Sequence, residues 1–251
     1  MISFADDALL LAAGAVAGAV GSAGGITSLV SYPALLAVGI PALPANVTQS
    51  VAFVTCLPGS ALGSRPELRG QGPWVRRWAA LTAAGGASGV ALLLSTPPHV
   101  FGRIVPFLLA VAALALLVQP RISTWQERRP GDRNRFLLPC GLFAVSVYGG
   151  YFGAGSGVMV LALLLLTVDK GLARANALKN VILGIADVVA AIGFAAFGPV
   201  QWSAALPLAL GLFAGSRVGP TVTRRLPANV LRVVVALAGL GLALRLWFVP
   251  S

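Results

Sequence analysis

The residues able to do chemistry in this sequence are few, and they fall into two sets of similar make-up. The first holds Gly21, Ser22, Gly24 and Gly25 with Thr27 behind them, then Asn46, Thr48, Gln49 and Ser50. The second holds Gly153, Gly155, Ser156 and Gly157, then Asn176, Lys179 and Asn180. A helix that begins after a glycine run has free backbone N–H groups and the positive end of its dipole at that point, so an anion is its natural ligand. Glycine removes the side chains that would keep the anion off the backbone, and Ser22, Thr27 and Ser156 add hydroxyl donors. Asn46 and Ser50, like Asn176 and Asn180, stand four residues apart and share a helix face. Polar groups inside an apolar span are costly unless they pair or line a pathway, so both faces are candidate substrate-binding surfaces. Lys179 has two readings, a counter-charge for an anion or a side chain that snorkels to the cytoplasmic surface.

Asp187 is the only carboxylate well inside an apolar span. A carboxyl held away from water is a candidate for proton coupling; the competing role is counter-ion to an arginine such as Arg217. Other chemistry is poorly provided for. His99 is the one histidine, and no carboxylate pair suited to acid–base work, metal-ligand cluster or Ser-His-Asp set is present, so no enzyme, metal or cofactor is expected. The stretch "GAGSG" approaches the spelling of a nucleophile elbow but lacks a preceding strand and a nearby histidine base. Cys56 and Cys140 fall in apolar segments and are expected to be inert buried thiols.

The elements that position these residues must sit in a membrane. The chain has 251 residues, of which 57% are apolar and only 10% charged. A soluble domain of this size needs a charged surface, and the apolar runs lack the alternation of a membrane barrel. The expected class is therefore an all-α integral membrane protein, with the lipid bilayer as its solvent. The formal charge of +11 is read as basic cytoplasmic loops rather than a nucleic-acid surface, because the arginines fall between apolar segments. The opening "MISFADDALL" has no basic stretch ahead of its apolar residues, so no cleaved signal peptide is expected.

Sliding the sequence against itself by 130 positions sets "PANVTQSVA" (44–52) on "RANALKNVI" (174–182) and Gly25, Gly63, Gly85 and Gly89 on Gly155, Gly193, Gly215 and Gly219. Two tandem repeats follow, roughly 8–119 and 136–248. The organisation expected is 1–119 as the first transmembrane repeat, 120–135 as a basic cytoplasmic linker and 136–251 as the second repeat. Each repeat has a glycine-interrupted apolar stretch (8–38; 136–168) and three plain spans (47–63, 78–95, 104–118; 177–197, 202–220, 228–248). The pairs Gly85/Gly89 and Gly215/Gly219 suit close helix packing. Basic residues alternate between the repeats. Loop 64–77 carries Arg65, Arg69, Arg76 and Arg77 where its counterpart near 198–202 carries none, while the uncharged loop 39–46 matches one with Lys170 and Arg174. Lysine and arginine favour the cytoplasmic side, so the swap points to repeats of opposite orientation. Opposite orientation needs an odd number of crossings per repeat, so the interrupted stretch is expected to be a helical hairpin; the competing reading is one long broken helix, which gives eight spans and parallel repeats.

The stretch "GSAGGITSLVSYPALLAVGIPALPANVTQSVAF" (21–53) resembles the opening repeat of the sulfite exporter TauE/SafE family, in its glycine-rich turn, in Pro33 with Leu35 and Leu36, and in the polar segment Ala45 to Ser50. "GGYFGAGSGVMV" through "ARANALKNV" is similar to the opening of its second repeat, and the likeness extends to the late "LPANVLRVVVALAGLGLALRL". The resemblance implies a bacterial inner-membrane, multi-pass transporter of sulfite or organosulfonates, usually an exporter, working by alternating access, with protons as a possible coupling ion and a homo-oligomer as a possible assembly. It places the site at Gly21 to Gly25 with Asn46, Thr48 and Ser50, and at Gly153 to Gly157 with Asn176 and Asn180. Leu163 stands where a proline would match Pro33, and Ala177 and Leu178 replace the hydroxyl pattern of the first repeat, so the halves need not contribute equally. A carrier of another small organic anion, such as a carboxylate, is the alternative within transport; a non-transporting membrane subunit or scaffold is the alternative outside it.

Overall fold

A computed structural model describes residues 4–126, 136–168 and 171–223. The expected span at 228–248 and most of the linker lie outside the described residues. Every regular element described is helical, and the chain is an all-α integral membrane protein.

Helix α1 (Phe4–Gly24) carries Asp6 and Asp7 in its first turn, where the helix dipole favours negative charge. It stops where Gly25 takes a φ of +77°, a left-handed conformation that lets the chain turn into α2 (Ser28–Ala37). After Gly39 (φ +83°) and Pro41 come α3 (Ala42–Ala52), a 3-10 turn (Phe53–Thr55) and α4 (Cys56–Gly63). The span expected as plain at 47–63 is therefore interrupted. Pro58 has no N–H to return to the carbonyl of Val54, so the α-helical ladder loosens there. The Thr55 hydroxyl holds the break, donating to Ala52 O at 2.8 Å and lying 2.9 Å from Ala209 O.

A short α5 (Arg65–Leu68) leads to α6 (Gly72–Leu94), so Arg76 and Arg77, expected in a loop, are helical. α7 (Pro98–Gln126) runs through Pro120 into the stretch expected as linker, and nothing in "RISTWQ" after that proline ends a helix. Then follow α8 (Leu137–Tyr151), α9 (Ser156–Val168), α10 (Leu172–Phe197) and α11 (Trp202–Thr223). α3 and α10 open at 42 and 172, and α6 and α11 at 72 and 202, each pair at the offset read from the sequence.

α8 and α9 form a hairpin. A Cβ on Gly141, near the start of α8, would lie 2.7 Å from a Leu163 methyl in α9, which a continuous helix would carry far apart. Their 15 and 13 residues cover about 22 and 20 Å, short of a hydrocarbon core of about 30 Å. The first interrupted stretch has unequal arms. α1, with 21 residues and about 31 Å, is long enough to cross, as are α6 and α10 among the described residues, whereas α2 has only 10 residues.

Packing between helices rests on backbone approach. A methyl group on Gly211 or Gly215 of α11 would overlap the carbonyl of Leu11 or Ala15 in α1, and one on Gly18 would overlap that of Leu212. Gly85 and Gly89 bring α6 equally close to Ser146, Val147 and Gly150 of α8. Leucine side chains gain little by leaving lipid for one another, so such small-residue seams hold membrane helices together. Leu10, Tyr32, Phe101 and Phe194 fill the core between the seams, while other large apolar side chains face outward, among them Ile192, Leu206 and Leu210, each about two-thirds exposed as a lipid-facing surface requires.

Candidate functional site

The two glycine turns meet. A Cβ on Gly25 would overlap the backbone of Gly157, and a Cβ on Gly157 that of Gly25, so the turns touch main chain to main chain in the interior. Beside this contact lies a cavity with about 60 Å³ open to water-sized molecules, room for a small ion and some of its hydration. Ser28, at the first turn of α2, and Ser156 with Gly157, at the first turn of α9, both reach its wall. Two helix N-termini therefore bring positive dipole ends to one space, with the Ser156 N–H already held by Gly153 O at 3.1 Å.

Two further helices complete the wall with stripes at helical spacing. α10 contributes Lys179, Asn180, Leu183, Gly184 and Asp187, and the interrupted α3–α4 rod contributes Ser50, Phe53, Leu57 and Ser60. Ser50 and Asn180, Phe53 and Leu183, and Leu57 and Asp187 stand at positions matched by the offset, yet all face the same cavity.

Lys179 is 1% exposed overall, and its ammonium donates to Gly21 O at 3.3 Å. One of three N–H groups is used there, on a residue that also lines the cavity. The snorkelling reading of Lys179 does not hold, because the ammonium ends in the interior. Asn180 Nδ2 donates to Ser22 O at 3.1 Å from the cavity wall. Arg217, the possible counter-ion of Asp187, is exposed on α11 and is absent from the cavity wall.

Of the candidate substrate residues, Gly21, Ser22, Gly25, Ser50, Gly153, Ser156, Gly157, Lys179 and Asn180 line this cavity, as does Asp187. Gly24, Asn46, Thr48, Gly155 and Asn176 do not. Thr48 Oγ1 accepts from the backbone N–H of Gln201 at 3.0 Å, and Gly155 (φ +73°) packs on Ala112 of α7. Asn46 donates from Nδ2 to Tyr151 O, the end of α8, at 2.9 Å and accepts on Oδ1 from Gln49 Nε2 at 3.2 Å. Asn176 donates to Ser22 O, near the end of α1, at 2.8 Å. The two matched asparagines thus cap the carbonyl end of each other's hairpin. They were candidates because polarity marks a residue as needing a partner without saying whether that partner is a ligand or a carbonyl.

Cys56 lines the cavity and Cys140 is exposed, so neither is the fully buried thiol expected; an apolar segment does not reveal which face a residue occupies. Ser28, Phe152 and Ser60 reach the wall without having been singled out. Ser60 was within reach of sequence reasoning, since 50, 53, 57 and 60 follow one helix face from Ser50.

The description "Sulfite exporter TauE/SafE" belongs to a family model that matches residues 9–246. The chain is 27% identical over 249 residues to the probable membrane transporter protein ORF9 of Sinorhizobium sp, covering 97% of this chain and 93% of that protein. It is 24% identical over 246 residues to the probable membrane transporter protein YfcA of Escherichia coli strain K12, covering 93% and 86%. A probable membrane transporter protein of Haemophilus influenzae is also 24% identical, over 236 residues covering 92% and 90%. No solved structure matches the chain.

Proposed function

Since the chain belongs to the sulfite exporter TauE/SafE family and is a membrane transporter, we propose that it carries a small sulfur-containing oxyanion, sulfite or an organosulfonate, in the cavity beside the two glycine turns. The observation that carries this reading is the Lys179 ammonium, buried on a cavity wall that two helix N-termini also reach. A buried lysine that would find its counter-charge in a bound anion, together with two converging helix N-termini, is favourable for an anion and unfavourable for a cation or an apolar solute. Asn180 keeps a second Nδ2 proton for a substrate oxygen, whereas the Ser50 and Ser156 hydroxyls donate to Asn46 O and Gly153 O, both at 2.8 Å, and offer their protons to a substrate only by rotating.

In this reading the carrier works in a bacterial inner membrane as a multi-pass exporter, with the repeats at 1–119 and 136–251 in opposite orientations. Support comes from the basic loops that alternate between the repeats and from the matched pairs facing one cavity from two helices. Alternating access then follows from one repeat rocking on the other about the glycine contact. Cysteines introduced at Gln71 and Val200 are expected to react with a membrane-impermeant maleimide from opposite sides of the cell membrane. Labelling of both from one side would reject the opposite orientation.

Purified protein in liposomes is expected to give saturable sulfite flux, with sulfoacetate competing better than acetate. Acetate as the stronger competitor would favour a carboxylate carrier, and no flux from folded protein would favour a non-transporting subunit. Asp187, the carboxylate on the cavity wall, is assigned to proton coupling. Asp187→Asn is expected to abolish stimulation of net flux by a pH gradient while leaving sulfite–sulfite exchange. Undiminished stimulation would remove Asp187 from the coupling step.

A further inference from the structure

The carbonyl end of α1 lies inside the protein, with Gly21 and Ser22 on the cavity wall. It carries the negative end of the helix dipole, about half an elementary charge. α10 meets it with three side-chain donors: Lys179 Nζ on Gly21 O at 3.3 Å, and Asn176 Nδ2 and Asn180 Nδ2 on Ser22 O at 2.8 and 3.1 Å. The matching end of α8 receives Asn46 at 2.9 Å, and the residue at the position matched to Lys179 is the neutral Gln49, which bonds to Asn46 and Ser31. The cation therefore belongs to one helix end alone.

A second feature points the same way. Asn176 Oδ1, on the amide that caps Ser22 O, is buried without a hydrogen-bond donor. An acceptor left in that state normally costs free energy, and a donor or a cation is the partner it lacks. In carriers built on broken helices, backbone carbonyls at helix ends inside the protein are where a coupling cation sits.

We propose that the Lys179 ammonium is the resident cation of such a site, a tethered stand-in for a free monovalent ion, and that removing it opens the site to ions of similar charge and size. One N–H holds the end of α1 while the residue also lines the cavity, so it links that helix end to the bound anion as a coupling ion would. This role in transport rests on the anion-carrier reading above; the cation site itself does not. Wild-type transport then requires neither sodium nor potassium.

The test compares thermal unfolding of the full-length wild type, Lys179→Arg, Lys179→Ala and Lys179→Gln in the chlorides of choline, sodium, potassium and methylammonium at equal ionic strength. The wild type and the arginine variant are expected to be indifferent to the cation. The alanine and glutamine variants are expected to gain at least about 3 °C in potassium or methylammonium over choline, which is too large for the space vacated. Equal unfolding temperatures of both neutral variants in all four salts would overturn the proposal. So would failure of both to fold even with methylammonium present, because the free ion should then replace the tethered one. In liposomes, wild-type sulfite flux is expected to be the same when choline replaces sodium and potassium, and a flux that needs either ion would also overturn it. Absence of all sulfite flux would count against the anion-carrier reading and leave the unfolding comparison intact.

Discussion

Gly25→Ala is expected to yield no stable protein in the membrane, whereas Gly24→Ala accumulates and unfolds like the parent. The two glycines are neighbours in a run that looks uniform in sequence. Gly25 has a φ of +77°, and a Cβ there would overlap the backbone of Gly157, while the nearest atom to a Cβ on Gly24 is a methylene of Ile26 at 4.0 Å. The left-handed conformation costs a residue with a side chain roughly 1–2 kcal/mol, and overpacking typically costs about 1–3 kcal/mol more. Backbone pressed on backbone cannot relieve the overlap by changing a rotamer. The sum is a large share of a domain's stability, on the order of 5–15 kcal/mol. Gly157→Ala is expected to be milder, since it meets the same overlap with no positive φ to maintain. Yield and unfolding temperature in detergent decide the matter. A Gly25→Ala protein as stable as Gly24→Ala would show that the two turns do not touch in this way.

Asn46→Ala and Asn180→Ala are expected to fail differently, although both remove an amide from a matched polar segment. Asn46 is fully buried and bonded to Tyr151 O and Gln49, away from the cavity wall. Its loss leaves the end of α8 without that donor, which costs about 1–3 kcal/mol and lowers the unfolding temperature by several degrees. The molecules that remain folded should transport with an unchanged KM. Asn180 is on the cavity wall and caps Ser22 O from there. Hydrogen bonds to charged groups contribute about 1.5–3 kcal/mol, so Asn180→Ala should raise the KM for sulfite roughly 10- to 100-fold. Liposome kinetics and unfolding curves on the same preparations separate the two outcomes. A raised KM in Asn46→Ala with unchanged stability would return that residue to the binding site.

Several features were legible because they depend on sums or spacings along the chain. Membrane residence follows from apolar content, since transfer free energies accumulate residue by residue. The glycine runs announced turns because left-handed backbone favours glycine, and Gly25, Gly153 and Gly155 all adopt positive φ. The interruption at 53–55 was harder to read. Pro58 stood in plain view, but an isolated proline in an apolar run can kink a helix or cap one, and Thr55 chooses the outcome only by reaching Ala209 on a distant helix.

Equal polarity concealed unequal roles at 46, 176 and 180. Residues on one helix can be assigned to a shared face by spacing alone, but what that face meets depends on the rotation and depth of the helix against its neighbours. Here backbone-close glycine seams set that placement, between α1 and α11 and between α6 and α8. Taken alone, the sequence determined the solvent, the helical class, the internal offset and the short roster of polar residues, all properties carried by local composition and period. Only the tertiary structure decided which of those residues cap helix ends and which face the cavity, because a hydrogen-bonding group is assigned by the nearest partner in space, and here that partner lies more than a hundred positions away, as with Asn46 and Tyr151 or Lys179 and Gly21.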